Sequence, residues 1–442
     1  MSSDSRNCEK PDLDHAFKSI SSDISALALL LGSNPQEHFN QEAHEELALW
    51  KESTLISLQE VEEAVTTHHG GFATSERAKM IFFVSIFVGD DEFIDSRCKK
   101  LALSCLDMLG PLDGPLASQI LLEYLKPVFQ SAIHPGVRQD TGRVKQRPLD
   151  LQNMYDEQPW KTRGVGSWNV LTWVLLHIES DDIESLWPLV IPPLLTLVDD
   201  YSPLYKIKGI VATNGLLQKV SPTLLRRTGI DELLFRALRS ALQNLTSDLS
   251  PDLLRVAMPC YIRLVDLIYT DDTVQRFDKL CELVTDTIVP GWLYASSRTE
   301  LMIASAEVLS LVVHVLGIGS ARFLKAFVPQ LTENLLPKEF SPAEQTWALR
   351  IASGKCLLVL TRNTRPRISH WRYRILDAVL RCWVDIADRH ESGNDVLKEA
   401  LKELFVELLA CSNGLLTRQL STLQDLDAAL FSELLKIQGQ YA

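Results

Sequence analysis

The chain has 442 residues, a formal net charge of −13 and a sequence pI near 5.3. This acidic balance argues against a protein that holds nucleic acid over its whole surface, because such binding depends on cations that neutralise phosphates. Hydrophobic residues make up 46% of the chain, which excludes wholesale disorder and allows a large core. Glycine and proline number 20 each, a low usage that leaves room for long helices.

Apolar residues recur at helical spacing through most of the chain, whereas period-two alternation is hard to find. The sequence therefore predicts an all-α fold. Residues 1–11 are expected to be disordered, 12–133 to form an N-terminal helical region, 134–166 a long basic loop, and 167–442 HEAT-like helical repeats. The apolar run Leu301–Leu316 includes Glu307 and His314, so it is predicted to be a buried helix and not a membrane span.

The clearest repeat unit runs from residue 186 to residue 217. An apolar helix containing two prolines leads into an acidic turn, and a second apolar helix follows, in the manner of one helix pair of an α-solenoid. A proline is expected to bend the first helix, an aspartate to cap the second, and a glycine to let a neighbouring backbone approach closely. The residues concerned are Trp187, Pro192, Pro193, Asp199, Asp200, Tyr205, Lys206, Lys208 and Gly209.

Tryptophans gather just before and within this unit, at Trp160, Trp168, Trp173 and Trp187. Packing between adjacent helices is one explanation. A second explanation is a partner surface, because Trp168 and Trp173 are five residues apart and do not share one helical stripe. Tryptophan is enriched among the residues that dominate binding energy.

Basic residues cluster with aromatic residues in the C-terminal part of this acidic chain. Three explanations stay open: pairing with the chain's own carboxylates, contact with an acidic protein partner, or stacking on nucleic-acid bases. The candidates for partner binding here are Arg365, Arg367, Trp371, Arg372 and Arg374, and the same cluster contains Arg362, His370, Tyr373 and Arg381.

No spacing typical of an active site is present. The sequence has no phosphate loop, nucleophile elbow, zinc-protease or dinucleotide motif, so we predict neither catalytic residues nor metal or cofactor ligands. The eight cysteines are scattered without a Cys-x-x-Cys pair and are predicted to be free thiols in a reducing compartment. The first eleven residues lack the apolar core of a signal peptide, and a soluble intracellular protein is expected.

Three features are more specific than the general pattern of a HEAT repeat: the proline pair, the aspartate pair and the run Lys206-Ile207-Lys208-Gly209. Together with Gln158-Pro159-Trp160-Lys161 and the segment 168–173, they resemble the Tel-two-interacting protein two family, most like its fungal members. The matching region covers roughly residues 158–217, and the N-terminal third has no matching motif.

The resemblance implies a non-enzymatic scaffold in the Triple T complex, with two other helical-repeat subunits as partners. Such complexes are co-chaperone adaptors that link new phosphatidylinositol-kinase-like protein kinases to a heat-shock chaperone system. DNA-damage, telomere and growth signalling would depend on this role, in the cytoplasm and the nucleus. No membrane partner is expected. An importin-like or nucleic-acid-associated helical scaffold is the alternative, motivated by the arginine cluster.

Overall fold

The computed structural model describes residues 13–33, 41–68, 72–130, 136–138, 140–144, 159–162, 164–270, 273–336, 343–389, 395–412 and 414–436. The predicted disorder of residues 1–11 therefore concerns residues outside this description. In the described part of the chain, the structure is helical, and the β-structure consists of one isolated antiparallel bridge between Val137 and Val144. The chain divides into two compact units, Met1–Ala237 and Leu238–Ala442.

The first unit contains eleven α-helices and most of a twelfth, which crosses the boundary between the units. They are α1 (Leu13–Ser33), α2 (Gln41–His68), α3 (Thr74–Ser85), α4 (Ser96–Met108), α5 (Gly114–Gln119), α6 (Lys126–Phe129), α7 (Pro159–Thr162), α8 (Ser167–His177), α9 (Ile183–Val198), α10 (Pro203–Leu217), α11 (Pro222–Thr228) and α12 (Ile230–Leu242). Within this unit, α2 packs against α1 and α4, and α10 packs against α8 and α9.

The second unit continues the helical architecture with α13 (Ser250–Ile268), α14 (Thr273–Leu283), α15 (Val289–Tyr294), α16 (Thr299–Leu316), α17 (Leu324–Leu335), α18 (Ala343–Asn363), α19 (Arg365–Ile368), α20 (Arg372–Arg389), α21 (Asp395–Cys411) and α22 (Thr417–Lys436). The long helices α13, α16, α18 and α21 pack side by side in that order, while α17 covers α18 and α20 covers α21. This arrangement of helix pairs in two layers is that of an α-solenoid.

Several helices start where the sequence supplies a capping group. The carboxylates of Asp95 and Asp113 accept hydrogen bonds from the first backbone N–H groups of α4 and α5, and Ser221 does the same for α11. Proline stands at the start of α10 and α11, where its missing N–H costs nothing. The caps explain why the boundaries of these elements follow from local sequence.

Prolines inside helices are accommodated in two ways. Two π-helical turns, Ile120–Leu125 and Val284–Ile288, lie just before Pro127 and Pro290. The wider turn accommodates the proline, which has no N–H to donate. As a result, α5 continues into α6 and α14 into α15. A proline at position 290 would by itself suggest a helix end, but the helical segment continues through it to Tyr294. By contrast, α9 remains one α-helix through Pro188, Pro192 and Pro193.

The most apolar helix, α16, lies in the core of the second unit. It belongs to a stretch, Thr299–Leu335, that by length and composition could cross a membrane. Most of that stretch's apolar window is buried inside the protein, where α16 packs between α13 and α18. This placement agrees with the predicted buried helix, and length and composition alone are weak evidence for a membrane span.

Candidate functional site

Two buried ion pairs hold the helix pair α9–α10 to earlier parts of the first unit. The Lys161 ammonium in α7 lies 2.7 Å from Asp200 Oδ2 in the turn between α9 and α10. Lys208 in α10 lies 2.8 Å from Asp91 Oδ1 in the turn between α3 and α4. The four side chains are mostly buried, so each pair is shielded from salt and neither charge can be removed alone without leaving its partner uncompensated.

Asp91 is the centre of a polar network. Besides the Lys208 ammonium, its carboxylate accepts hydrogen bonds from the Trp168 indole at 3.2 Å and from the Asn169 amide at 2.7 Å. The same Asn169 amide donates to the Ile86 carbonyl at 2.9 Å. Asp95, and not Asp91, caps α4, and Asp91 joins α8 and α10 to the turn between α3 and α4.

Asp200 differs in detail from the predicted helix cap. Its Oδ1 accepts a hydrogen bond from the Ser202 N–H at 2.8 Å, one residue before the first residue of α10, and from Lys161 at 2.9 Å. Asp199 is exposed at the end of α9. The aspartate pair therefore divides into one buried residue that orders the turn and one residue at the surface.

The predicted tryptophan cluster forms the apolar wall around these ion pairs. Trp160, Trp168 and Tyr205 meet edge to face, with ring centroids 4.8–6.5 Å apart. The Lys161 ammonium lies 4.8–5.1 Å from the Trp160 and Tyr205 rings. Trp173 stacks on His177 at 4.5 Å.

Trp160, Trp168 and Trp173 are 0%, 3% and 5% exposed, respectively. In the described structure, they pack the core of the first unit and offer almost no surface to a partner. The packing explanation replaces the partner-surface explanation, because each indole is already enclosed by neighbouring helices. Trp187 is also buried, and a Cβ at Gly142 would come within 2.9 Å of its ring.

Gly209 sits where α9 and α10 approach each other. A Cβ on this residue would lie 2.5 Å from the Val198 nitrogen and 2.7 Å from the Leu197 carbonyl carbon, both backbone atoms. The close backbone approach expected from the sequence is therefore present. Lys206, one turn earlier, is buried beside it, and burial lowers the pKa of its ammonium while Asp199 and Asp200 oppose the shift.

The described parts of the predicted 134–166 loop are folded onto the first unit. The Val144 N–H donates to the Thr228 carbonyl at 3.3 Å, and Gly142 packs on Trp187 as noted above. Residues 159–162 form α7. The division into units falls within α12 and not at this segment, because the segment's described ends pack within the first unit. The predicted boundaries at 133 and 166 remain a sequence-based division.

The titratable groups in the described structure have no arrangement that indicates a reaction. Burial raises the pKa of the Cys105, Cys260, Cys356 and Cys382 thiols to about 12, so these thiols stay protonated and are poor nucleophiles. Of the seven cysteines described, six are buried and Cys411 is half-buried. Cys8 lies outside the described residues, which include no His, Cys, Asp and Glu group able to hold a metal ion.

The arginine cluster of the second unit is only partly neutralised by the chain's own carboxylates. Arg365 lies 2.7 Å from Glu407, Arg362 lies 3.4 Å from Glu403, and Arg381 pairs with Asp377 at 3.0 Å. Arg374 donates to the Thr332 hydroxyl at 3.2 Å. Arg372 donates to the Ser369 carbonyl at 2.6 Å and lies over the Tyr373 ring.

Arg367 and Trp371 instead line an open groove of about 620 Å³. The turn before α17 and the first residues of α17 supply the opposite wall, so the groove combines residues from two segments of the second unit. None of its lining residues is acidic. We call it the basic groove, and its lining residues are Ala321, Arg322, Leu324, Lys325, Arg367, His370 and Trp371.

The sequence did not identify Asp91, Asn169, Lys161, Arg322 or Lys325 as members of these sites. Lys161 lies in the predicted basic loop and Asp91 in a short acidic turn, but their partners are distant in sequence. Arg322 and Lys325 lie in a short segment with no basic cluster of its own. Only the folding of the turn before α17 against α19 brings them beside Arg367.

The two-layered helix pairs and the buried ion-pair motif define a helical-repeat protein of the α-solenoid class. The model of the Tti2 family matches residues 84–343, more than half of the chain, and the chain belongs to this family. The matched range includes the Asp91 network, the tryptophan cluster and both helices of the motif.

A solved structure supports the fold independently. A crystal structure of a Kap121p mutant aligns over 92% of this chain and 35% of its own chain, with a TM-score of 0.51 and 11% sequence identity. The chain thus spans about a third of the length of that structure. At this identity, the likeness concerns the helical-repeat architecture alone, and it confirms the predicted α-solenoid.

Proposed function

We propose that this protein is a non-enzymatic scaffold of the Triple T co-chaperone adaptor, supporting the maturation and stability of phosphatidylinositol-kinase-like protein kinases. Membership of the Tti2 family carries the proposal. In this role it would bind two other helical-repeat subunits and, through the complex, a heat-shock chaperone system. Its sites of action would be the cytoplasm and the nucleus, and its loss would weaken DNA-damage, telomere and growth signalling.

The physical character of the described residues supports a scaffold. The family motif, residues 187–209, forms ion pairs and aromatic contacts that hold helices together. Its Asp200 pairs with Lys161 and its Lys208 pairs with Asp91, both within the same unit. Buried thiols with raised pKa values and capping carboxylates have structural roles that need no reaction. Surfaces of stacked helix pairs are extended, which suits proteins that hold several partners together.

Affinity purification of the tagged full chain tests the proposed assembly. We expect mass spectrometry to recover two large helical-repeat proteins in amounts close to that of the bait, together with a smaller amount of kinase and chaperone. The matched control is the same tag on an Asp200→Ala variant, in which the motif is weakened and recovery should fall. Recovery of neither helical-repeat partner with the wild-type chain would remove the proposal.

An importin-like or nucleic-acid-associated scaffold is the second candidate, favoured by the cations of the basic groove. Binding that depends on phosphate contacts weakens steeply as salt rises. A titration of the purified chain with single-stranded RNA at increasing salt measures that dependence. Salt-sensitive binding at physiological ionic strength would support this candidate, and absence of binding there would exclude it.

A further inference from the structure

The basic groove concentrates positive charge on a protein with a net charge of −13. Arg322, Lys325 and Arg367 give it three permanent cations, and His370 lies beside them. All four side chains are exposed. No ion pair within 4.0 Å joins any of them to a carboxylate of the described residues.

This lack of pairing distinguishes the groove from its surroundings. The neighbouring Arg362 and Arg365 reach Glu403 and Glu407, and Arg381 reaches Asp377. Arg372 and Arg374 in the same segment donate hydrogen bonds to neutral oxygens of Ser369 and Thr332. The cations of the groove have no ion-pair partner among the described residues and lie together in one open groove.

The shape of the groove favours a short ligand. Its volume of about 620 Å³ accommodates a few side chains and not a long polymer. Trp371 and the edge of Leu324 give it an apolar wall next to the cations. A nucleic-acid strand would extend beyond the groove onto an acidic protein, where phosphates and carboxylates repel each other.

We propose that the basic groove binds a carboxylate-rich peptide segment of a protein partner, with an apolar side chain against Trp371. Arginine recognises carboxylates through paired hydrogen bonds, and tryptophan supplies apolar contact area, so both residue types suit this ligand. The inference rests on the proposed scaffold function for its biological meaning. Its chemistry can be measured on the full chain alone.

Fluorescence anisotropy with a short labelled peptide of alternating Glu and Ser, with one central Leu, provides the test. The groove variant Lys325→Gln/Arg367→Gln removes two exposed cations, and we expect it to weaken binding roughly tenfold, as for two lost surface ion pairs. The control Arg276→Gln/Arg381→Gln removes the same charge from cations that pair with Asp266 and Asp377, and binding should be unchanged.

Two further probes identify the ligand class. A peptide with Gln in place of every Glu should bind at least about tenfold more weakly, because it keeps the length and the apolar residue but loses the carboxylates. A single-stranded RNA probe should not compete with the acidic peptide. Equal binding of the groove variant and the wild type, an equal loss in the control variant, or displacement of the peptide by RNA would each overturn the inference.

Circular dichroism melting of the variants checks that they fold. If the double variant melts early, Lys325→Gln alone provides the same comparison with a smaller expected loss, about threefold. Affinity purification separates this inference from the proposed function. If the wild-type chain recovers no helical-repeat subunits, the scaffold proposal fails while the peptide result still decides the groove. If those subunits are recovered and the peptide ignores the groove, only the groove assignment fails.

Discussion

At the residue scale, Gly209 marks the tightest constraint in the family motif. The atoms that a Cβ would meet belong to the backbone of α9, which cannot move aside as a flexible side chain can. The close packing of α9 on α10 therefore requires a residue without a Cβ at position 209. A residue with a larger side chain must separate the two helices or distort them.

We expect Gly209→Leu to lower the free energy of unfolding by at least about 3 kcal/mol, because overpacking by a single group already costs 1–3 kcal/mol. Urea unfolding followed by circular dichroism measures the change. Gly354→Ala is the control, since its Cβ would meet only Leu335 Cδ2 at 3.9 Å. In that control, the helix propensity of alanine should add about 0.5–1 kcal/mol. Equal midpoints for Gly209→Leu and the wild type would contradict the packing described here.

Lys206 carries a different constraint, because the protein buries its ammonium. Burial lowers the pKa of Lys206 in the folded state below its value in the unfolded chain, so folding favours the neutral amine. Below the folded pKa, the full desolvation cost is present. As the pH rises from the folded pKa towards about 10.5, the unfolded state binds more protons and the folded state gains stability.

We therefore expect Lys206→Met to be most favourable, relative to the wild type, at neutral pH. The variant removes the buried charge, and its relative advantage should shrink as the pH rises towards 10.5. Paired urea titrations of the two proteins across this range measure the difference and cancel alkaline effects common to both. A difference that stays constant with pH, or that grows, would show that the Lys206 amine is not desolvated.

At the scale of elements, buried ion pairs connect segments that are distant along the chain. Lys161–Asp200 joins α7 to the turn between α9 and α10, and Lys208–Asp91 joins α10 to the turn before α4. Apolar residues in place of such a pair are often as stabilising or more so, and we infer that the pairs serve to specify which turn meets which helix. The family motif therefore contributes the contacts that place α9 and α10 against earlier parts of the first unit.

Removing one partner should reveal that dependence. We expect Asp200→Ala to cost about 3 kcal/mol, because it leaves the Lys161 ammonium mostly buried without its carboxylate and the Ser202 N–H without its acceptor. Asp199→Ala removes the same side chain from the exposed neighbouring position and should cost no more than about 1 kcal/mol. Urea midpoints compare the two. If Asp200→Ala unfolds like the wild type but recovers fewer partners, the motif is an interface and its structural role is wrong.

Local sequence predicted much of this architecture because the relevant signals are local. Helical periodicity located α16 to within two residues at its start, and Gly209 stands at the expected close approach of two helix backbones. The pairing partners were not predictable from one sequence. No sequence feature predicts that Asp91 contacts Lys208. None predicts that the 317–325 segment faces Arg367.

The tryptophans show a second limit of prediction from one sequence, which concerns burial. Their clustering was visible in the sequence, but a buried indole and an interface indole have the same spacing. Exposure decides between them, and exposure depends on the helices that arrive from elsewhere in the chain. Once the fold is known, Trp160 and Trp168 belong to the core, and Trp371 is the half-buried tryptophan beside unpaired cations.

At the scale of the whole molecule, the structure has two compact units built from helix pairs, and the family match extends across residues 84–343. The first unit contains the family motif, and the second contains the basic groove. Under the proposals above, stability rests mainly on the motif in the first unit and recognition of an acidic peptide on the groove in the second. A variant in the motif should affect both, while a variant in the groove should affect recognition alone.

The half-life of the client kinases tests the central proposal most directly. Cells depleted of this protein and supplied with wild-type chain, Asp200→Ala or no chain are pulse-labelled, and phosphatidylinositol-kinase-like kinases are followed after the label is removed. We predict that newly made kinase decays several-fold faster without the chain, that the wild type restores its lifetime, and that Asp200→Ala restores it only in part. Unchanged kinase half-lives in depleted cells would contradict the account.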